Sequence, residues 1–388
     1  MTTGSLQPLD GVQVLDFTRL LPGPWATAIA AELGAKVLKI EQPNKPDYSR
    51  SAAPFVEGQS VYFAGANRNK VGVNVDIATP SGQRAVRELI RHADVLVESF
   101  RPGTLAKFGL DFDEVARINP SIVYCSLSGF GQSGNRASAA GHDLNIAGLA
   151  GFLWDRDGRP SVSGVQMADF AAGTTLVMGI LGGVLEQRRT GNPLWIDVSM
   201  LDSLLSWGLV RHSSALAAIS GSSDTRRLEA FGANPRYALY ECADGLWLSA
   251  SLLEAKYWAK FCELIDRTDL VDPSEQDESR LSRHGDQSDV YRDILTAVFK
   301  QRSREEWCAL AQEHSIPCFP VYAPDEVWDD PHIRSRHMLV EEAEADKSIS
   351  GGAKLIRGPL RSSGSRDAES YVPFEEIDVD KAMSYFDR

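Results

Sequence analysis

The sequence predicts an α/β fold built on an open parallel sheet. Three observations lead there. Short apolar runs at 11–17, 36–41, 71–77, 94–100 and 121–130 alternate with Ala-rich or amphipathic stretches, the pattern of strand–helix–strand crossovers. The runs are apolar nearly throughout, as strands covered on both faces require. Pro and Gly punctuate the joints, at Leu21-Pro22-Gly23-Pro24, Gly34 and Pro80-Ser81-Gly82. A chain of 388 residues exceeds what one small core organises, so two domains are expected.

Taken in order, Gly11–Phe17 is the first buried strand, and an Ala-rich helix follows from Trp25 to Leu33, stopped by Gly34. Lys36–Glu41 and Val71–Ile77 are the second and third strands. Pro80 opens an amphipathic helix that turns Ala85, Leu89 and Ile90 inward. Asp94–Phe100 and Ser121–Phe130 continue the series. A long helix is expected over Phe170–Arg188 and another over Ile196–Trp207. Ser220–Arg227 is polar enough to be a linker. Beyond it, Arg236–Cys242 and Leu246–Ser251 flank Ala243-Asp244-Gly245, a β-hairpin pattern. Asp272–Asp289 reads as a polar loop, Val290–Glu313 as helical, Cys318–Tyr322 as a strand, and the remainder as an irregular tail.

Composition narrows the partners. With 43% hydrophobic and 24% charged residues the chain is that of a globular protein, and its net charge of -13 disfavours broad nucleic-acid or anionic-membrane binding. The apolar stretches 144–154 and 174–185 are too short and Gly-rich to span a bilayer. No basic-then-apolar signal opens the chain, and its 5 cysteines lack metal-site or disulfide spacing, so a reducing cytoplasm is the expected setting.

Gly129-Phe130-Gly131-Gln132-Ser133-Gly134 matches the dinucleotide fingerprint in letters only. That fingerprint needs a helix starting at its third glycine to hold a pyrophosphate, whereas residues 135–141 are turn-like. A glycine-rich turn is the expectation instead.

Three stretches carry ionisable residues at the ends of predicted elements: Gly141-His142-Asp143-Leu144-Asn145, Ala168-Asp169-Phe170, and Tyr240-Glu241-Cys242-Ala243-Asp244-Gly245. A histidine and a carboxylate facing each other can move a proton on and off an activated carbon. Each residue also has a plainer explanation. His142 can hydrogen-bond within its own turn, Asp169 can be a helix N-cap, and Glu241 can be a solvated strand-end residue. If Asp169 caps, the neighbouring N–H groups remain available to charge developing on a thioester oxygen. The cations Lys39, Arg68, Lys70, Arg101 and Lys107 are either surface charge or, being near strand ends, anion contacts.

The motifs LDFTRLLPGPWATAIAAELGAKVLKIEQP, NRNKVGVNVDIATPSG, ADVLVESFRPGTLAKFGL, SLSGFGQSG and RRTGNPLWIDVSMLDS resemble the family III CoA-transferase (CaiB/BaiF) superfamily from about Leu9 to about Pro331. The resemblance implies a Rossmann-like large domain with an open parallel sheet, formed by 1–220 and 325–388. It also implies a small α+β domain at 221–324 and an interlocked homodimer. CoA enters as part of an acyl-CoA substrate, with no metal and no permanently bound cofactor. The implied CoA contacts match Lys39, Arg68, Asn69, Lys70, Arg101, Gly141, Asp143 and Asn145. Transferases of this family use the Asp matching Asp169 as a nucleophile that forms anhydride and thioester intermediates. The alpha-methylacyl-CoA racemases keep that Asp as a base, oppose it with a His matching His142, and pair the His with a Glu matching Glu241.

Gly-His-Asp-Leu-Asn resembles the racemases' Gly-His-Asp-Ile-Asn, and Ser249–Trp258 lacks the glycine-rich loop of transferases resembling formyl-CoA transferase. The leading expectation is therefore a racemase exchanging the α-proton of a 2-methylacyl-CoA, with CoA transfer to a carboxylic acid as the alternative. Two departures concern the acyl pocket. Ile146 stands where the racemases have Tyr, and Ser251-Leu252-Leu253-Glu254 replaces their Gly-Ala-Ile-Glu.

Overall fold

Gln13–Phe17 (β1) is buried along its whole length, and Leu15 lies beside Leu38 on one side and Leu96 on the other. Strands enclosed in this way need apolar side chains on both faces, which is why these runs do not alternate. The computed structural model describes residues 6–154, 159–223, 234–273, 288–342, 353–360 and 370–386. With β2 (Lys36–Glu41), β3 (Val71–Asn74), β4 (Val95–Glu98), β5 (Val123–Ser128), β6 (Leu194–Ser199) and β7 (Glu375–Ile377), β1 forms a seven-stranded parallel sheet. Its order is β7-β3-β2-β1-β4-β5-β6, so the direction of winding reverses between β1 and β4.

Five helices matter for the site: α1 (Pro22–Glu32), α2 (Pro80–His92), α3 (Asp143–Leu149), α4 (Met167–Thr190) and α5 (Met200–Trp207). One core joins α1, α3, α4 and α5 to the sheet through Ala26, Ala30, Ile146, Ala171, Leu176 and Leu204. A second core takes α2 and Val379–Tyr385 through Val86, Leu89, Ile90 and Ala382. The sheet is thus covered on both faces, as a right-handed parallel array demands.

Several expected boundaries move. The first helix begins at Pro22 rather than Trp25, because Pro at a helix start lacks only an N–H that has no partner there anyway. The long helix runs 24 residues from Met167, not from Phe170, and is long and apolar enough by length and composition to cross a bilayer; 44% of its most apolar window is buried in the fold. Leu194–Ser199 is an edge strand where a helix is expected over 196–207. Its Ile and Val positions suit a pleated surface, and the Ser199 hydroxyl accepts from the Asp202 N–H at 3.1 Å and so starts α5 only at Met200. The tail is not wholly irregular either, since Glu375–Ile377 pairs with Val71–Val73 and Phe374 packs against Gly72. A three-residue strand is too short for its pattern to show in a sequence.

By contact pattern the chain divides into two units, one of Met1–Leu153, Ser161–Gly208 and Arg334–Arg388, the other of Trp154–Pro160 and Leu209–Ile333. In the second unit the hairpin Tyr237–Glu241/Trp247–Ser251 forms as expected, with Gly245 at φ 79° in its turn, and Cys318–Val321 adds a third antiparallel strand. Its core stacks Tyr240, Phe299, Phe261 and Trp258, with Trp307 edge-on to Phe299. The 224–227 part of the expected linker and the 274–287 part of the expected loop lie outside the described residues.

Gly23, in the first turn of α1, lies so close to the end of β1 that a Cβ there falls 2.3 Å from the Thr18 Cβ. Thr18 is buried and held by Asp16, so it has no room to yield. Gly23→Ala is expected to destabilise the protein by about 1–3 kcal/mol, the range for overpacking a tight contact. A lower denaturant midpoint than wild type checks this.

Candidate active site

The turn after β1 is fixed by four buried charges. Asp16 pairs with Lys70 at 3.1 Å and Asp47 with Lys39 at 3.2 Å, all four side chains fully enclosed. Each charge has bonds left over, and these hold backbone. Asp16 accepts from the Thr18 N–H and the Thr18 hydroxyl, the Lys39 ammonium donates to the Thr18 carbonyl at 2.6 Å, and both Asp47 oxygens accept from the Leu20 N–H. The Arg19 N–H donates to the Ser99 hydroxyl at 3.1 Å. Leu20 is thereby held at φ 65°, a conformation a Leu avoids unless its surroundings impose it. Burial pushes the Asp16 carboxyl up, but Lys70, Lys39 and the hydroxyls of Thr18 and Thr27 outweigh it and hold the group near 2.

A second motif joins two helices. Asp169 lies in the first turn of α4 but is not its N-cap; Gln166 occupies that position without a side-chain bond. The capping is supplied across the fold, where Asp143 accepts from the Ala168 N–H at 2.6 Å and the Asp169 N–H at 3.2 Å. Those two N–H groups are therefore engaged, contrary to the expectation that they face a thioester oxygen. His142 is the N-cap residue of α3, and its N–H donates to the Asn145 side chain at 3.1 Å. Burial pushes the Asp169 carboxyl up to about 7, and the negative charge of Asp143 adds to the rise.

These two motifs share a cavity of about 510 Å³. Its wall includes Arg19, Leu20 and Pro22 after β1, Ser99, Phe100 and Arg101 after β4, Leu127–Gly129 at the end of β5, and Met200 after β6. Gly141, His142, Asn145, Asp169 and Tyr48 also line it. The cavity thus opens at the carboxyl ends of the strands, where the strand order reverses, the place at which open α/β sheets take ligands. The glycine-rich stretch forms a turn, with Gly131 and Gly134 at positive φ, and the next helix starts only at Asp143.

The remaining expected positions fall elsewhere. Lys39 and Lys70 are enclosed in the ion pairs above. Arg68 is 2% exposed and bonds Glu32 at 2.6 Å, and Asn69 exchanges two hydrogen bonds with Val372. The charged ends of Lys39, Lys70 and Arg68 face carboxylates or carbonyls of this chain. Arg101, by contrast, is exposed and lines both this cavity and a neighbouring one of about 240 Å³. Glu241 lies in the second unit, where its carboxylate pairs with Lys300 at 2.7 Å. Arg19 and Tyr48 are cavity residues that the sequence reading does not single out. The signal for Arg19 is its place two residues beyond a first strand that ends at the switch point.

A model of CoA-transferase family III matches residues 9–371. The chain belongs to this family. Among curated relatives, a succinyl-CoA:glutarate CoA-transferase of Mus musculus is 33% identical over 341 residues, 87% of this chain and 77% of the mouse protein. A succinyl-CoA:mesaconate CoA-transferase of Haloarcula hispanica is 31% identical over 382 residues, 92% of each chain. Among solved structures, a CAIB/BAIF family protein from Brucella suis is 29% identical with a TM-score of 0.79, covering 95% of this chain and 96% of that one. The α/β architecture with its large parallel sheet is therefore the family III fold, and CoA thioesters are the family's substrates. The relatives named here are transferases, whereas the leading expectation from the motifs is a racemase.

Because folding raises the Asp169 pKa from 3.8 to about 7, the protonated group's contribution to stability is complete below pH 3.8 and is lost as pH rises through about 7. Asn at this position cannot ionise. Asp169→Asn is therefore expected to melt increasingly above wild type from about pH 4 upward, the gain levelling off above about pH 7. Parallel thermal melts across that range check it; a difference independent of pH contradicts the raised pKa.

Proposed function

We propose that the protein transfers CoA from an acyl-CoA to a carboxylic acid through a covalent intermediate on Asp169. The carrying observation is that Asp169 lines the cavity at the sheet's switch point with its carboxyl partly withdrawn from water. The activities for which the relatives are named support the same reaction. In this reading a carboxylate oxygen of Asp169 attacks the thioester carbonyl, the C–S bond breaks, and CoA leaves as the thiolate. The thiolate then attacks the Asp169 carbonyl of the mixed anhydride and expels the first acid as its carboxylate. The acceptor carboxylate repeats the sequence in reverse, ending on a new thioester and free Asp169. A desolvated carboxylate is the stronger nucleophile for it, and the Asp143 cap holds the reacting helix end in one orientation.

A second reading has one observation in its favour: His142 lines the same cavity as Asp169. Two bases on one cavity are what α-proton exchange requires, with the His142 imidazole and the Asp169 carboxylate on opposite faces of the α-carbon. The Lys300 pairing of Glu241 leaves its part in either reaction without a structural argument. The interlocked homodimer belongs to the same proposal. It is supported by large apolar side chains exposed along α4 to α5, namely Met178, Leu185, Trp195, Leu205 and Trp207.

The two readings separate cleanly. Under CoA transfer, hydroxylamine traps an acyl or aspartyl adduct that mass spectrometry places on Asp169, and Asp169→Asn loses turnover by several orders of magnitude. The acylation rate in single turnover rises with pH and reaches a plateau above about 7, following ionisation of Asp169. Under racemisation the wild type incorporates solvent deuterium at the α-carbon with no acceptor acid present, and no adduct forms. Deuterium without an adduct overturns the transferase proposal. Sedimentation at low micromolar concentration is expected to give a dimer, and a monomer contradicts that part.

A further inference from the structure

Arg19 stands apart from the other buried and half-buried cations around the sheet ends. Lys39, Lys70, Arg50 and Arg68 each meet a carboxylate of this chain at bonding distance. Among the described residues the Arg19 guanidinium meets none, and no hydrogen bond of that group is found. It is nevertheless half-buried on the wall of the Asp169 cavity, over the Phe100 ring at 5.3 Å. Its backbone is held on both sides, since residues 18, 19 and 20 each bond a side chain from a distant or buried element, and Leu20 sits in the left-handed region. Phe100 is itself fixed by its N–H, which donates to Glu98 at 2.7 Å. An arginine so held, without an anion of its own, is preorganised for an anion that arrives with the substrate.

Which anion follows from dimensions. Arg19, Tyr48 and Asp169 all line the one cavity. A cavity of about 510 Å³ is about 10 Å across if spherical. The pantetheine arm is two amide units plus a cysteamine end, on the order of 15 Å when extended at ~3.5 Å per residue-sized unit. A CoA whose thioester meets Asp169 therefore carries its phosphates outside this cavity. A short acyl chain on that thioester lies within reach of the cavity wall. A plain hydrocarbon tail would leave the guanidinium desolvated without compensation, whereas a carboxylate at the tail's end forms a bidentate pair.

We infer that Arg19 is a specificity residue that receives the far carboxylate of the acyl group, so that the substrates are thioesters and free acids of short dicarboxylic acids. This deepens the transferase proposal and rests on the same cavity. Binding tests it without requiring turnover. In an Asp169→Asn background, which leaves the thioester intact, succinyl-CoA, butyryl-CoA and CoA are titrated calorimetrically with Arg19, Arg19→Gln and Arg19→Lys. With Arg19 present, succinyl-CoA is expected to bind more tightly than butyryl-CoA. Arg19→Gln should weaken succinyl-CoA by about ten- to hundred-fold, the range of one charge-assisted bond, with butyryl-CoA and CoA unchanged. Arg19→Lys keeps the charge without the fork and should fall between. Should Arg19→Gln fail to fold, the Arg19→Lys comparison decides alone: loss confined to succinyl-CoA supports the assignment.

Equal affinity for the two thioesters with Arg19 present, equal loss for all three ligands, or no loss overturns it; equal loss would mean that Arg19 holds the CoA portion. The transferase proposal fails independently. A wild type that moves CoA to no acid, yet loses only succinyl-CoA affinity on Arg19→Gln, removes that proposal and leaves this one standing.

Discussion

The paired charges Asp16–Lys70 and Lys39–Asp47 are the constraint on which the rest of the site depends. Enclosing four charges is costly, several kcal/mol for each before pairing, and removing one partner of such a pair typically costs about 3–5 kcal/mol. A hydrophobic set of the same volume would often be at least as stable. What it could not do is bond the Thr18 carbonyl and the Thr18 and Leu20 N–H groups at the mouth of β1. Those bonds hold Leu20 at φ 65° and aim Arg19 along the strand end. Lys70 reaches further, donating to the Pro24 carbonyl at 2.8 Å and so joining the start of α1 to the same network. The turn, the helix behind it and the cavity wall are one hydrogen-bonded assembly, and Gly23 is the point where their close approach forbids a side chain.

The second constraint works the other way. A carboxylate in the first turn of a helix is ordinarily stabilised, because the free N–H groups and the helix dipole favour negative charge there. Asp143 takes two of those N–H groups for its own carboxylate and leaves Asp169 beside it, half-withdrawn from water. Both effects make ionisation of Asp169 harder, which is why its pKa is pushed to about 7 while the buried but cation-flanked Asp16 is held near 2. The same side chain has opposite titration in two places of one domain, and the difference is whether a cation or an anion shares the enclosure.

Much of this was legible in the residues. The continuous apolar runs gave the inner strands of the sheet, the Asp-Gly gave the hairpin turn, and the Gly-His-Asp and Ala-Asp-Phe stretches meet on one cavity wall. Other parts were not. Residues 194–199 are apolar at spacings compatible with either a strand or a helix, and only pairing with β5 decides between them. The strand at 375–377 is too short to have a period and exists because β3 offers it an edge. The basic residues misled for a physical reason: a cation near a strand end has the same appearance in sequence whether it meets a ligand or a carboxylate 36 positions upstream or more. Lys70 meets Asp16, 54 positions away, and Arg68 meets Glu32, 36 away. Long-range ion pairing of this kind leaves no local pattern.

That pairing also shapes the electrostatics an arriving substrate encounters. The chain carries a net charge of -13, so an anion approaching from bulk water meets a repulsive surface on average. At physiological ionic strength this repulsion fades over about 8 Å, and what decides binding is the local arrangement. With Lys39, Lys70, Arg50 and Arg68 committed to carboxylates of the fold, the cations left on the cavity wall are Arg19 and Arg101. They follow β1 and β4, the two strands between which the sheet reverses its winding, and so stand side by side where the crevice opens. Arg101 is exposed and shared with the neighbouring cavity, while Arg19 faces the space that holds Asp169. On the cavity wall itself, among the described residues, the fold thus leaves these two arginines, one exposed and one half-buried. A ligand with separated negative groups and a neutral stretch between them is the shape that such a distribution selects.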